Sequence, residues 1–215
     1  MKVLISGTSR GIGKAIAENF LSFNHEVVGM DILESSIDHP NYTHYQMDIR
    51  SEDLPDIDKI NIIIANAGVH EDKDAIEVNL QGSVHFVERY LDSKELVSVL
   101  FIASASAKNG SEFPIYAASK GGLVSYMKNL ASRLAPKGVT VNSISPGGVM
   151  THSNDRIINN KEKYDAVLNE TLLHKWASPE EIADWAYFIT VINHSMTGED
   201  LLIDNGEMLK SNFIW

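Results

Sequence analysis

The sequence predicts an α/β protein built on a single doubly wound parallel sheet, with helices on both faces. Three observations carry that expectation. Short, continuously apolar runs such as Val3-Leu4-Ile5 and Ile60 to Ala65 read as strands buried on both faces. Segments with helical apolar spacing alternate with them. A glycine-rich turn joins the first strand to the first helix. Strands that alternate with helices pair in parallel through right-handed crossovers, and a ligand then sits at the strands' C-terminal edge.

Composition narrows the function. The 215 residues suit one domain, residues 1–215, with a sizeable core, and no linker, repeat or low-complexity segment interrupts them. A net charge of −11 disfavours nucleic acid and anionic membranes as general partners. The absence of cysteine removes disulfides and thiolate chemistry together. Eight histidines are scattered without ligand-like spacing, so no metal site is expected. No apolar run approaches the ~18 residues of a membrane span. The chain enters a strand at once, leaving no room for a signal peptide, and a cytoplasmic location is expected.

The elements follow in order. After Val3-Leu4-Ile5 come Gly7, Gly11 and Gly13, then Ile12, Ile16, Phe20 and Leu21 at helical spacing. Strand, glycine turn and helix start form the context that holds a phosphate, because glycine allows close backbone approach and the helix start offers unpaired N–H groups. The spacing G-x-x-x-G-x-G departs from the more familiar G-x-G-x-x-G. A second strand, Glu26 to Met30, ends at Asp31, 18 positions beyond Gly13. A carboxylate there accepts hydrogen bonds from an adenosine ribose and repels a 2′-phosphate, so NAD is favoured over NADP, with Arg10 in the turn as the opposing feature. Tyr42 to Met47 reads as the third strand, ending at Asp48, and residues 51–59 as a loop or short helix. Ile60 to Ala65 is the fourth strand, followed by Asn66-Ala67-Gly68.

Residues 74–91 predict a helix with Ile76, Leu80, Val84 and Val87 on one face and Asn79 within it. An apolar strand through Val97 and Ile102 leads to Ser104. Helical spacing resumes from Ile115 to Leu134 and carries Tyr116 and Lys120 on one face, about one turn apart. A free phenol titrates near ~10, and an adjacent ammonium favours the phenolate. Ser104 could polarise a carbonyl that Tyr116 protonates. Val139 to Ile144 is a further strand closed by Pro146-Gly147-Gly148. Residues 152–175 are polar and mixed, Ser178-Pro179-Glu180-Glu181 starts a helix that turns Ile182, Ala183, Ala186 and Ile189 to the core, and Leu201-Leu202-Ile203-Asp204 is the last strand. The apolar tail Asn212-Phe213-Ile214-Trp215 either packs on its own domain or seals an interface.

Taken together, this ordered set resembles the classical short-chain dehydrogenase/reductase family, a Rossmann-type fold, from residue 3 to about residue 206. Gly7-Thr8-Ser9-Arg10-Gly11-Ile12-Gly13 is similar to its cofactor turn, Asp31 to its NAD-selecting acid, Asp48, with Ile49 beside it, to its adenine-contacting aspartate, and Asn66-Ala67-Gly68 to its Asn-Ala-Gly motif. Asn79, Ser104, Tyr116 and Lys120 match its catalytic residues, with Ser106 the alternative serine. Pro146 and Gly147 match its nicotinamide-side segment, where the Val149 backbone and the Thr151 hydroxyl would hold the carboxamide. The resemblance implies NAD(P)-dependent interconversion of a secondary alcohol and a ketone. Tyr116 would be the acid–base group, Lys120 would also bind the nicotinamide ribose, and Asn79 would place a water that links Lys120 to solvent. It implies a homodimer or homotetramer formed through the Asn79 and Tyr116 helices, and a lid over residues 152–175. A non-catalytic NAD-sensing protein and a reductase of double bonds or carrier-linked acyl groups are the alternatives. Two departures stand out: only 11 positions separate Gly68 from Asn79, fewer than the family usually has, and 12 separate Ser104 from Tyr116.

Overall fold

The computed structural model describes residues 1–111 and 113–209. The strands are β1 (Lys2–Ser6), β2 (Glu26–Asp31), β3 (Tyr42–Gln46), β4 (Ile62–Ala65), β5 (Ser98–Ile102), β6 (Thr140–Pro146) and β7 (Asp200–Ile203). They form one parallel sheet in the order β3-β2-β1-β4-β5-β6-β7. The helices are α1 (Gly11–Ser22), α2 (Ser83–Tyr90), α3 (Ser106–Asn109), α4 (Pro114–Leu134), α5 (Asp155–Ile158), α6 (Lys161–Asn169) and α7 (Pro179–Tyr187). The predicted doubly wound α/β fold is what forms.

Strand alternation explains the two layers, since successive side chains point to opposite faces. Leu4, Ile63, Val99, Phe101 and Val141 face one way and pack with Phe86 and Val87 of α2 and Leu123, Met127 and Leu130 of α4. Val3, Ile5, Ile62, Ile64 and Leu100 face the other way, against Ile16 and Phe20 of α1 and Ile182, Ala183 and Ala186 of α7. The central strands β1, β4 and β5 are therefore apolar on both sides, which is why their sequences read as continuous runs, whereas the edge strand β3 is mixed and partly exposed. Helix α7 begins with a capping box: Ser178 accepts from the Glu181 N–H, and Glu181 accepts from the Ser178 N–H.

Residues 51–59 form a loop, one of the two forms expected. Two local expectations need correction. Asp200, rather than Leu201, starts the last strand. The segment expected to be an α-helix over 74–91 is wound as a π-helix from Ile76 to Gly82 and becomes α-helical only at Ser83. The wider turn shifts the phase of the buried face. Of the predicted stripe only Val87 is buried; Ile76, Leu80 and Val84 are half-buried, and Asn79, Gly82, Ser83, Phe86 and Tyr90 join Val87 in the buried face. The apolar tail at residues 212–215 lies outside the described residues.

The site follows from topology. Chain order reverses at β1, whose neighbours are β2 and β4. A crevice opens beyond the carboxyl ends of the strands at such a switch point.

Candidate active site

One end of the crevice is built largely from backbone. Gly7 sits at φ +76° and donates its N–H to the Met30 carbonyl at 2.7 Å. A Cβ on Gly13 would fall 2.0 Å from the Gly7 oxygen, so only glycine lets α1 start this close to β1. Gly11, at φ +57°, faces the Thr151 methyl. Arg10 precedes α1 in extended conformation and gives it no side-chain cap. The first N–H groups of α1 are thus left for another acceptor.

Asp31, at the end of β2, lies beneath this turn. Its Oδ2 accepts from the Ser9 N–H at 2.9 Å and its Oδ1 from the Leu33 N–H at 3.0 Å. Asn66 clamps the end of β4 onto the turn, donating its side-chain amide to the Ser6 and Gly7 carbonyls at 3.1 and 3.0 Å. The Ser6 hydroxyl accepts from the Asn66 and Ala67 N–H groups in return. Gly7, Arg10, Gly11, Ile12, Asp31, Asp48, Ile49, Asn66, Ala67 and Gly68 share a cavity of about 450 Å³ with Arg50 and Thr151. Asp48 is engaged by Arg50, whose guanidinium hydrogen-bonds both carboxylate oxygens and holds the acid below its usual range. An adenine contact by Asp48 has to share its carboxylate with that guanidinium.

A second cavity of about 350 Å³ contains Ser104, Ser106, Tyr116, Lys120, Pro146, Gly147, Val149 and Thr151. Ile12, Asn66, Gly68, Val69 and Thr151 border both cavities, so the crevice is continuous. Tyr116 and Lys120 are buried on one face of α4. The Lys120 Nζ lies 5.9 Å from the Tyr116 ring centroid and donates to the Ile102 carbonyl at 2.9 Å. Burial lowers its pKa from the ordinary 10.5 to about 8. The Ser104 hydroxyl accepts from the Ser106 N–H at 3.2 Å, and the two hydroxyls are 2.7 Å apart. Both serines therefore stand in the cleft as one hydrogen-bonded pair.

Asn79 is fully buried in the π-helical turn. Its Oδ1 accepts from the Val69 N–H at 2.7 Å, and its Nδ2 donates to the Val69 carbonyl at 2.9 Å and the Ser119 hydroxyl at 3.1 Å. It thereby ties the loop after β4 to α4. A Cβ on Gly68 would meet the Asn79 Oδ1 at 2.8 Å and lie 3.5 Å from the Lys120 Nζ, so this glycine leaves room for both groups.

Sequence reasoning missed three residues here. The His70 ring stands nearly perpendicular to Tyr116, centroids 5.1 Å apart. The Asp72 carboxylate accepts from the N–H groups of Ile115 and Tyr116. Trp176 lies over Gly148, leaving no space for a side chain there. Each acts across a long sequence separation, which neither periodicity nor motif spacing reveals.

The comparisons with known proteins agree with this geometry. Residues 7–207 match the family model described as Enoyl-(Acyl carrier protein) reductase. A 3-oxoacyl-[acyl-carrier-protein] reductase FabG from Buchnera aphidicola is 30% identical, the alignment covering 94% of this chain and 95% of that protein. A short chain dehydrogenase family protein from Francisella tularensis superposes with a TM-score of 0.89 at 26% identity, over 97% of this chain and 99% of that one. A 4-hydroxyisoleucine dehydrogenase complexed with NADH superposes at 0.85 with 26% identity, over 98% and 99%. The chain belongs to the short-chain dehydrogenase/reductase family. It is an NAD(P)-dependent oxidoreductase. Among the described residues no helix is long and apolar enough to cross a membrane.

Proposed function

We propose that this enzyme interconverts a secondary alcohol and a ketone, with NAD as the preferred cofactor and Tyr116 as the general acid–base. The observation that carries the reading is the gathering of Tyr116, Lys120 and the Ser104–Ser106 pair in a cleft continuous with the glycine turn.

The residues present suit a dinucleotide. The turn at Gly7, Gly11 and Gly13 and the uncapped start of α1 fit a pyrophosphate, and Asp31 fits a ribose diol. Pro146, Gly147, Val149 and Thr151 would border the nicotinamide. The cofactor, when bound, supplies or accepts the hydride. The chain's own residues handle the proton. Tyr116 gives its hydroxyl proton to the substrate oxygen as negative charge develops there, and takes it back in the oxidative direction. The Ser104 hydroxyl hydrogen-bonds the same oxygen, and Ser106 holds Ser104 in place. The buried Lys120 ammonium favours the phenolate with little solvent screening. Asn79 would place a water that leads from Lys120 to solvent, its own side chain being fixed by Val69 and Ser119.

NAD rather than NADP is proposed because the Asp31 charge faces the ribose edge of the cavity, although Arg10 borders it too. The proposal includes a cytoplasmic homodimer or homotetramer paired through the helices that carry Asn79 and Tyr116. The matched family description and the FabG relative favour a second reading, reduction of an enoyl or 3-oxoacyl thioester.

A panel of simple ketones, alcohols and enoyl and 3-oxoacyl thioesters, run with NAD(H) and NADP(H) and followed by nicotinamide absorbance, tests all of this. Ketone or alcohol turnover faster with NAD(H) is the expected result. Turnover confined to enoyl thioesters, or none beyond cofactor binding, would overturn the reading.

A further inference from the structure

We propose that Asp72 is a positioning residue for Tyr116: its carboxylate, delivered by the loop after β4, is the N-terminal cap of the helix that carries the phenol. The proposal rests on the acid–base role given to Tyr116 above.

The first turn of α4 cannot cap itself. The residue before it, Phe113, is extended and offers no side-chain acceptor. Pro114 has no N–H, which leaves the N–H groups of Ile115 and Tyr116 as the first orphan donors of the helix. A preceding Ser, Thr, Asp or Asn normally satisfies such donors. Here one oxygen of Asp72 does so from 43 and 44 positions upstream, at 2.8 Å from the Ile115 N and 3.0 Å from the Tyr116 N. A carboxylate at this end also complements the helix dipole.

The same residue organises the loop. Its carbonyl accepts from the Ala75 N–H at 3.2 Å. Asp74 then turns the chain at φ +60°, and its carbonyl accepts from the Val78 N–H at 2.9 Å. Asp72 therefore holds α4 through its side chain and starts the Asn79 turn through its main chain. Tyr116 lies in the turn that frays without a cap. Lys120 is one turn further on and is anchored separately to the Ile102 carbonyl. Loss of the cap would thus loosen the phenol relative to the ammonium while leaving both groups present.

The test compares Asp72→Ala and Asp72→Asn in the full chain. The readouts are amide hydrogen exchange over residues 113–120, NADH affinity by fluorescence, melting temperature, and kcat and KM for the fastest ketone of the panel. Asp72→Ala should raise exchange at Ile115 and Tyr116 about tenfold and lower kcat about tenfold, with NADH affinity within about twofold, since one lost cap corresponds to a factor of roughly ten. Asp72→Asn keeps an oxygen acceptor and should restore most of both. Unchanged exchange and kcat in Asp72→Ala would overturn the proposal. So would a lower melting temperature with kcat intact, which marks a purely structural role, or an Asn variant as impaired as Ala. Tyr116→Phe is the control: full turnover in that variant would remove the acid–base reading, while the exchange data would still decide the cap.

Discussion

The two ends of the crevice are built by different means. At the cofactor end, main-chain atoms supply one side of most contacts: the Ser9 and Leu33 N–H groups on Asp31, and the Ser6 and Gly7 carbonyls on Asn66. Glycine decides that geometry, because Gly7 and Gly13 let strand, turn and helix approach within distances no side chain allows. At the catalytic end, side chains make the links, to main-chain and side-chain partners alike. Asn79 joins Ser119 over 40 positions, Asp72 joins Tyr116 over 44, and Lys120 reaches back to Ile102 over 18. A glycine-shaped cradle tolerates little change, although Asn66 closes it from 60 and 59 positions away. A side-chain assembly tolerates more, and its parts become neighbours only through the tertiary fold.

Four substitutions would break or sharpen this contrast, in decreasing order of effect. Gly13→Ala sets a methyl against the Gly7 carbonyl and should cost on the order of 4 kcal/mol in chemical denaturation, with loss of NADH binding. Lys120→Met probes the other end through pH. The folded-state pKa of Lys120 is depressed to about 8, below the ordinary 10.5. Between those values the unfolded chain holds a proton that the folded chain has released, so stability rises with pH across that window. The full rise is roughly 3 kcal/mol. Urea titrations between pH 8 and 9.5 should show about half of that rise in the wild type and none of it in Lys120→Met. Tyr90 and Tyr126, both raised by burial, act in the opposite sense only at higher pH.

Asp31→Asn removes the charge at the proposed ribose edge and keeps one of the two oxygens that accept from the Ser9 and Leu33 N–H groups. The ratio of kcat/KM for NADP to that for NAD should rise about tenfold, close to one charge-assisted hydrogen bond. Ser178→Ala removes the α7 cap, away from both cavities, and should cost about 1 kcal/mol without altering cofactor affinity.

The same contrast explains what the sequence could and could not disclose. Continuous apolar runs predicted the central strands because both sheet faces are covered there. The glycine turn and Asp31 were legible from their spacing and Asn66 from its Asn-Ala-Gly motif, whereas the Asn66 clamp on Ser6 and Gly7, 60 and 59 positions away, was not. Tyr116 and Lys120 were legible as a pair because a helix sets their separation. The π-helical turn at Ile76–Gly82 was not, because it answers to tertiary demands: burying Asn79 and turning it toward Val69 and Ser119. Asp72 looked like an ordinary loop acid, and nothing near it in sequence names α4 as its partner. The link between Ser104 and Ser106 emerged only when the end of β5 and the start of α3 were seen together.

Replacing Tyr116 by Phe tests the acid–base assignment most directly, because it removes one oxygen and leaves the packing of α4 unchanged. Ketone reduction should fall by a factor of ~10³ or more, in keeping with loss of a general acid, while NADH affinity measured by fluorescence stays within about twofold. Reduction within about threefold of the wild-type rate would show that another group moves the proton.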